Sequence, residues 1–250
     1  MEFLPLSLLG LLSGISSGVF GIGGGTIIVP SLSMLGLDIR HGIGISIFQM
    51  IFASFFGSYL NYRKNLIDFK VGVMLGVGGI FGSSLSGMIL THSSTRSIYI
   101  AFFCFTLFSF IKYFFGRKKT YTLQTLSPLK KILILFFSGC IVGVFASSLG
   151  VGGGLLLAPL LGYFLGLNSK EVAPLALFFI CFSSLSGAFS LYNANLLQFQ
   201  EGFIVGVCSM IGVWIGIHLI TKLSAQTHKI ALAFIYIASL TATLSKIIHL

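Results

Sequence analysis

The chain has 250 residues, 56% of them hydrophobic and 8% charged, with a mean hydropathy of +1.03. A soluble domain carries about 25% charged residues, so a water-soluble globular protein is excluded. The formal charge of +10 would suit a nucleic-acid binder, but the basic residues gather in the loops between apolar blocks. That is a pattern of membrane topology, and no nucleic-acid partner is expected.

The blocks approach the length of about 20 residues that spans a bilayer and lack the alternation of barrel strands. Lipid offers the backbone no hydrogen bonds, so helices are predicted. The first stretch runs Leu4–Leu37, broken at Gly21-Ile22-Gly23-Gly24-Gly25. Gly42–Tyr62, Val71–Thr91 and Ser97–Phe115 follow, then a basic linker from Gly116 to Lys131. The second half opens with Ile132–Leu167, broken at Gly150-Val151-Gly152-Gly153-Gly154, and continues with Val172–Tyr192, Phe203–Ile220 and Ile230–Ile248. Met1-Glu2-Phe3 has no basic leader region, so the N-terminus reads as mature protein.

The halves match each other. Gly10, Gly14, Gly21, Gly23, Gly24, Gly25 and Pro30 fall on Gly139, Gly143, Gly150, Gly152, Gly153, Gly154 and Pro159 at an offset of 129. After one inserted residue, Gly36, Ser54, Gly57, Tyr62, Asn65, Leu66 and Phe69 fall on Gly166, Ser184, Gly187, Tyr192, Asn195, Leu196 and Phe199. The expected fold is therefore an all-α integral membrane domain of two homologous four-segment repeats. Residues 1–115 form the first repeat, 116–131 the basic linker and 132–250 the second repeat. Each repeat has a glycine-broken first segment plus three transmembrane helices.

The break could be a kink in a crossing helix or the tip of a re-entrant hairpin. A kinked crossing makes the repeats parallel and divides the basic residues ten against five. A hairpin leaves an odd number of crossings, inverts the second repeat and divides them twelve against three. The positive-inside rule favours the hairpin. So does length, because Thr26–Leu37 would span only about 18 Å as a helix.

Irregular backbone at membrane depth survives where it is buried in protein or lines a cavity. A short helix is expected from about Thr26 and from about Leu155. Its first turn offers unpaired N–H groups and the positive end of the helix dipole, which together suit an oxyanion. The candidate substrate-binding residues are Gly21, Gly23, Gly24, Gly25 and Thr26 with Gly150, Gly152, Gly153 and Gly154. Pro30 and Pro159 are structural helix breaks, each freeing a carbonyl four residues earlier. Gly10, Gly14, Gly139 and Gly143 read as helix-packing glycines.

At GIGGGTIIVP (Gly21–Pro30) and GVGGGLLLAP (Gly150–Pro159) the chain resembles the TauE/SafE sulfite-exporter family, also called the 4-toluenesulfonate uptake permease family. The duplicated Tyr-x-x-x-Asn-Leu-x-x-Phe turn belongs to the same resemblance, which covers essentially the whole chain. It implies secondary transport of a small, often sulfur-containing anion, without fixing substrate or direction. Ala176 stands opposite Ser46, so the two half-sites need not be equal.

Ser46, Gln49 and Ala53 share one helical face, and Gln49 is the first side-chain candidate for substrate contact, with Ser46 beside it. The serines Ser54, Ser183, Ser184 and Ser186 are expected to bond to carbonyls of their own helix. His218 reads as an interfacial histidine and Trp214 as an interface anchor. Cys104, Cys140, Cys181 and Cys208 have no metal or disulfide spacing and read as small buried hydrophobes. No HExxH motif, intramembrane acid pair or Ser–His spacing occurs, so no catalytic residue, metal, cofactor or enzymatic activity is expected.

The reading is a multi-pass protein of the cell inner membrane that transports a small anion. Its partners are that anion and the lipid bilayer, and assembly into a homo-oligomer stays open. A channel for another small solute, or a non-transporting membrane subunit or assembly factor, are the alternatives.

Overall fold

The computed structural model describes residues 3–115, 127–165, 167 and 169–249. Arg117, Lys118 and Lys119 of the linker, and Gly166, lie outside the described residues. The described chain is helical: α1 Phe3–Phe20, α2 Gly25–Met34, α3 Ile39–Arg63, α4 Phe69–Ser83, α5 Ser86–His92, α6 Thr95–Phe115, α7 Pro128–Ser148, α8 Gly154–Leu165, α9 Ser169–Asn193, α10 Phe199–Lys222 and α11 Ala225–Ile248.

Among the described residues, eight helical segments are long and apolar enough to cross a membrane. Phe189, Phe203 and Phe234 are exposed on their outer faces, as lipid contact requires. The protein is a multi-pass membrane protein.

Helix directions follow from the glycine contacts. Gly10 lies on Val205, Gly14 on Ser209 and Gly18 on Val213. Residue numbers rise together, so α1 and α10 run the same way. Phe48 covers Gly202 and Phe52 covers Gly206, which puts α3 in that direction too. Gly139 on Leu75, Gly143 on Gly79, Phe178 on Gly72 and Phe182 on Gly76 group α4, α7 and α9 in the same way. α3 and α9 oppose each other, because Leu177 meets Gly57 while Ile47 meets Gly187. Backbone approaches this close need residues without side chains at the crossing; Gly10, Gly14, Gly139 and Gly143 fill that packing role.

The duplicated tyrosine turn closes α3 and α9 identically. Asn65 and Asn195 take φ 54° and 56°. Leu66 N–H reaches Asn61 O at 3.1 Å and Leu196 N–H reaches Leu191 O at 2.9 Å. Both are Schellman stops, with asparagine tolerating the left-handed position.

Three expectations need correction. The short helices begin one residue earlier than expected, at Gly25 and Gly154. The single span Val71–Thr91 is two helices, α4 and α5, interrupted at Ser84–Leu85. The cysteines are not uniformly buried: Cys181 is, Cys140 and Cys208 are half-buried, and Cys104 is exposed on the outer face. A thiol is apolar enough to face lipid, so hydrophobicity alone did not locate it.

Candidate functional site

The first glycine of each motif ends a helix. Gly21 has φ 69° and returns its N–H to Ser17 O at 2.8 Å; Gly150 has φ 63° and Val151 N–H reaches Ala146 O at 3.0 Å. The chain then bends through each break, with Gly23, Gly24 and Gly152 also at positive φ. The two breaks pass each other backbone to backbone. A Cβ on Gly25 would collide with the carbonyl of Gly150, and one on Gly154 with that of Gly21. Gly23 and Gly152 meet between them, a Cβ on Gly23 lying 3.0 Å from Gly152 Cα. All the candidate glycines are thus brought into one place, buried.

On the first-half side, Gly24 caps α2 with φ 81°, a conformation that only glycine holds without strain. Ile27 and Ile28 N–H both bond Gly24 O, at 3.0 and 3.2 Å. The N–H groups of Gly25 and Thr26 precede these and have no intrahelical acceptor. Gln49 stands over this turn, its Oε1 3.2 Å from where a Gly24 Cβ would sit. Gln49 is 0% exposed, and among the described residues neither its Oε1 nor its Nε2 has a hydrogen-bond partner. The Thr26 hydroxyl is also buried without a partner, and Ser13 closes the side, its Cβ 3.0 Å from the same point. Buried amides of this kind are costly, at about 1–3 kcal/mol for each unsatisfied group. Ser46, one turn from Gln49 on α3, donates its hydroxyl to Gly150 O at 2.7 Å.

On the second-half side the arrangement differs. Phe179 occupies the place that matches Gln49, and its ring covers Gly153. Gly153 does not adopt a positive φ. Ala176 replaces Ser46, so no hydroxyl reaches the carbonyl of Gly21. The polar half of the site therefore belongs to α2 and α3.

Pro30 lies inside α2, buried. Pro159 falls at the matching place in α8, with its side chain outside the described residues.

A cavity of about 620 Å³ opens on the face carrying the α3–α4 turn and the starts of α7 and α9. Lys64, Asp68, Lys131 and Glu171 line it, and it reaches Gly18 and Ala173. Ala173 is the residue on which Gly21 packs, so the cavity ends against the first break. At the opposite end of α3 stands Arg40. Its guanidinium donates to Leu90 O (3.1 Å), Ser93 O (2.5 Å) and Thr95 Oγ1 (2.9 Å), pinning the start of α3 to the α5–α6 corner.

Two long-range polar anchors escaped the sequence. One is Arg40. The other is His228 of α11, 2% exposed, whose Nε2 lies 3.1 Å from Val19 O at the end of α1. Its ring packs on Phe20 at 4.7 Å. Their partners lie 50 and 209 residues away, and no local pattern announces such contacts. The serines also departed from expectation. Ser54 and Ser183 bond their own helix, but Ser186 crosses to Ile80 O at 2.7 Å, and Ser184 has no partner. His218 bonds Trp214 O at 2.7 Å near the end of α10. Among the described residues no cluster of metal-binding side chains occurs.

Eight apolar spans, with two helix breaks crossing among them, define a multi-pass membrane protein. The comparisons agree. The description "Sulfite exporter TauE/SafE" belongs to a family whose profile matches residues 6–243, and the chain belongs to that family. It is 25% identical over 246 residues to the "Probable membrane transporter protein YunE" of Bacillus subtilis, covering 86% of each chain. It is 27% identical to YdhB of the same organism, with 82% of this chain and 85% of that one covered. It is 24% identical to MJ0441 of Methanocaldococcus jannaschii, with 82% and 76% covered. Both carry the same description as YunE. No solved structure matches the chain.

Proposed function

We propose that the protein is a secondary transporter that moves a small anion, a sulfur-containing oxyanion or organosulfonate, across the cytoplasmic membrane. The observation that carries this reading is the buried, unpartnered Gln49 amide set against the first turn of α2. Free N–H groups at a helix start bind anions, and an amide beside them supplies further donors. The substrate ligands are then Gln49, Thr26 and the backbone of Gly24 and Gly25, with Ser46 holding the crossing together. Gly21, Gly23, Gly150, Gly152, Gly153 and Gly154 let the two breaks approach closely enough to build the site. The family's description, which speaks of sulfite export, fits such a ligand.

The halves 1–115 and 132–250 act as inverted repeats in one membrane unit. What supports this is direction: α1 and α3 run opposite to their counterparts α7 and α9. α2 doubles back on α3, since Gly25 meets Ser46 while Leu32 meets Gly42, so the break is a hairpin tip. At ten residues, or about 15 Å, α2 is too short to cross the about 30 Å core. In this arrangement the twelve-residue basic side is cytoplasmic, and the cavity opens to the cytoplasm while Arg40 stands at the outer end of α3. Inverted repeats of this kind work by rocking about a central site.

The test is flux of labelled sulfite, thiosulfate and a simple sulfonate in proteoliposomes, with and without a proton gradient. Saturable flux that is lost in Gly24→Leu is expected. Absence of flux for all three, in folded protein, would overturn the reading.

A further inference from the structure

Between α3 and α9, on the flank where α4 begins, lies a second cavity, an apolar groove of about 570 Å³. That is the size of a small-molecule site, about 300–1,000 Å³. Tyr59, Tyr62, Phe69, Phe178 and Leu185 wall it. The buried Ser58 and Cys181 line it too, but they bond each other, Oγ to Sγ at 3.3 Å. Tyr59, Tyr62, Phe69 and Leu185 are exposed although they belong to apolar spans, so the groove opens sideways into lipid. Its end at the α3–α4 turn is basic. Arg63 lies one turn beyond Tyr59 on α3, and Lys70 follows Phe69 at the start of α4; both are exposed. Lys64 and Asp68 of the same turn line the cytoplasmic cavity instead, and Asp68 is engaged in capping α4 through the N–H groups of Lys70 and Val71. The matching face of the second half has the same rings, with Tyr192 on Phe199 at 5.9 Å as Tyr62 is on Phe69 at 5.4 Å. Its turn, residues 193–200, has no lysine or arginine.

We propose that this groove is a lipid site: it holds one acyl chain of an anionic phospholipid from the cytoplasmic leaflet, whose phosphate sits at Arg63 and Lys70. The turn lies on the basic side whether the repeats are inverted or parallel, so it is cytoplasmic in either arrangement. The cytoplasmic leaflet carries the anionic lipids that juxtamembrane lysine and arginine attract. An apolar, aromatic wall suits the chain, and the Ser58–Cys181 bond leaves that pair no need of a polar ligand. The two helices that flank the groove also reach the crossed breaks, α3 through Gln49 and α9 through Phe179. A chain wedged between them braces the crossing from the lipid side, whatever solute the protein carries.

The experiment places the full chain in phosphatidylcholine vesicles with a trace of phosphatidylglycerol that carries a diazirine in its acyl chain. After irradiation, peptide mass spectrometry should find the label on residues 55–62 and 178–185, about 10-fold above its level around Phe137 and Phe234 on the outer faces. The same diazirine on phosphatidylcholine should label the groove about 10-fold less than on phosphatidylglycerol. In the double variant Arg63→Gln, Lys70→Gln, whose folding is checked by size-exclusion chromatography, phosphatidylglycerol should fall to the phosphatidylcholine level. Labelling around Tyr192 should not change. Groove labelling by the two lipids within about twofold, phosphatidylglycerol spread evenly over the exposed faces, or groove labelling untouched by the double substitution would each overturn the lipid site.

Discussion

Ser46 and Gly150 are joined across the two halves, the serine hydroxyl donating to the glycine carbonyl at 2.7 Å. This bond locks the long helix of one half to the break of the other. In Ser46→Ala the carbonyl loses its donor in a buried setting. A loss of about 1–2 kcal/mol is expected, read as a lower unfolding temperature in detergent, with the protein still inserted.

The crossing of the breaks has almost no tolerance for added atoms. Gly25→Ala would drive a Cβ into the Gly150 carbonyl, and folded protein should be lost on size-exclusion chromatography. Gly36→Ala is the control. Gly36 has φ 91° but nothing within 4 Å of its Cβ position, so only backbone strain of about 1–2 kcal/mol is expected, and folded protein should remain.

Arg40 gathers three acceptors from the α5–α6 corner. In Arg40→Ala two carbonyls and a hydroxyl lose a charged donor, worth about 1.5–3 kcal/mol per bond before relaxation. Amide hydrogen exchange around His92–Ser97 should accelerate while α10 stays protected. Arg40→Lys should rescue little, because an ammonium lacks the planar fork that reaches all three.

Sidedness separates the inverted from the parallel arrangement. With inverted repeats, Lys64→Cys and Lys222→Cys react with an impermeant maleimide from the same side, and Arg96→Cys from the other. Parallel repeats would place Lys222→Cys with Arg96→Cys. The natural cysteines lie within spans, so their background labelling should be low and is measured in the unsubstituted protein.

The spans and breaks were readable because their causes are local. Lipid demands long apolar runs, and three consecutive glycines interrupt a helix wherever they occur. The tyrosine turns were readable as a duplicated motif for the same reason. The interruption between α4 and α5 was not. There Ser190 of α9 enters the ladder, taking Gly87 N–H at 2.9 Å and giving its own hydrogen to Ser84 O at 2.7 Å. A side chain inserted from another helix is a known cause of such a break, and no glycine or proline at Ser84–Leu85 announces it. The inequality of the half-sites was visible in Ala176 opposite Ser46. That Phe179 covers Gly153 required the fold, because one substitution in a helix does not say which backbone it faces. Gln49 was found by helical periodicity, but its lack of any partner is a three-dimensional property.

The most direct measurement is Gln49→Leu, read at once for flux in proteoliposomes and for thermal stability in detergent. Leucine matches the volume and removes two unsatisfied polar atoms from a buried place. If Gln49 serves the anion, stability should be unchanged or higher, while transport falls by about 10- to 100-fold, as loss of a hydrogen bond to a charged group predicts. Undiminished flux of the labelled anion in Gln49→Leu would contradict the account.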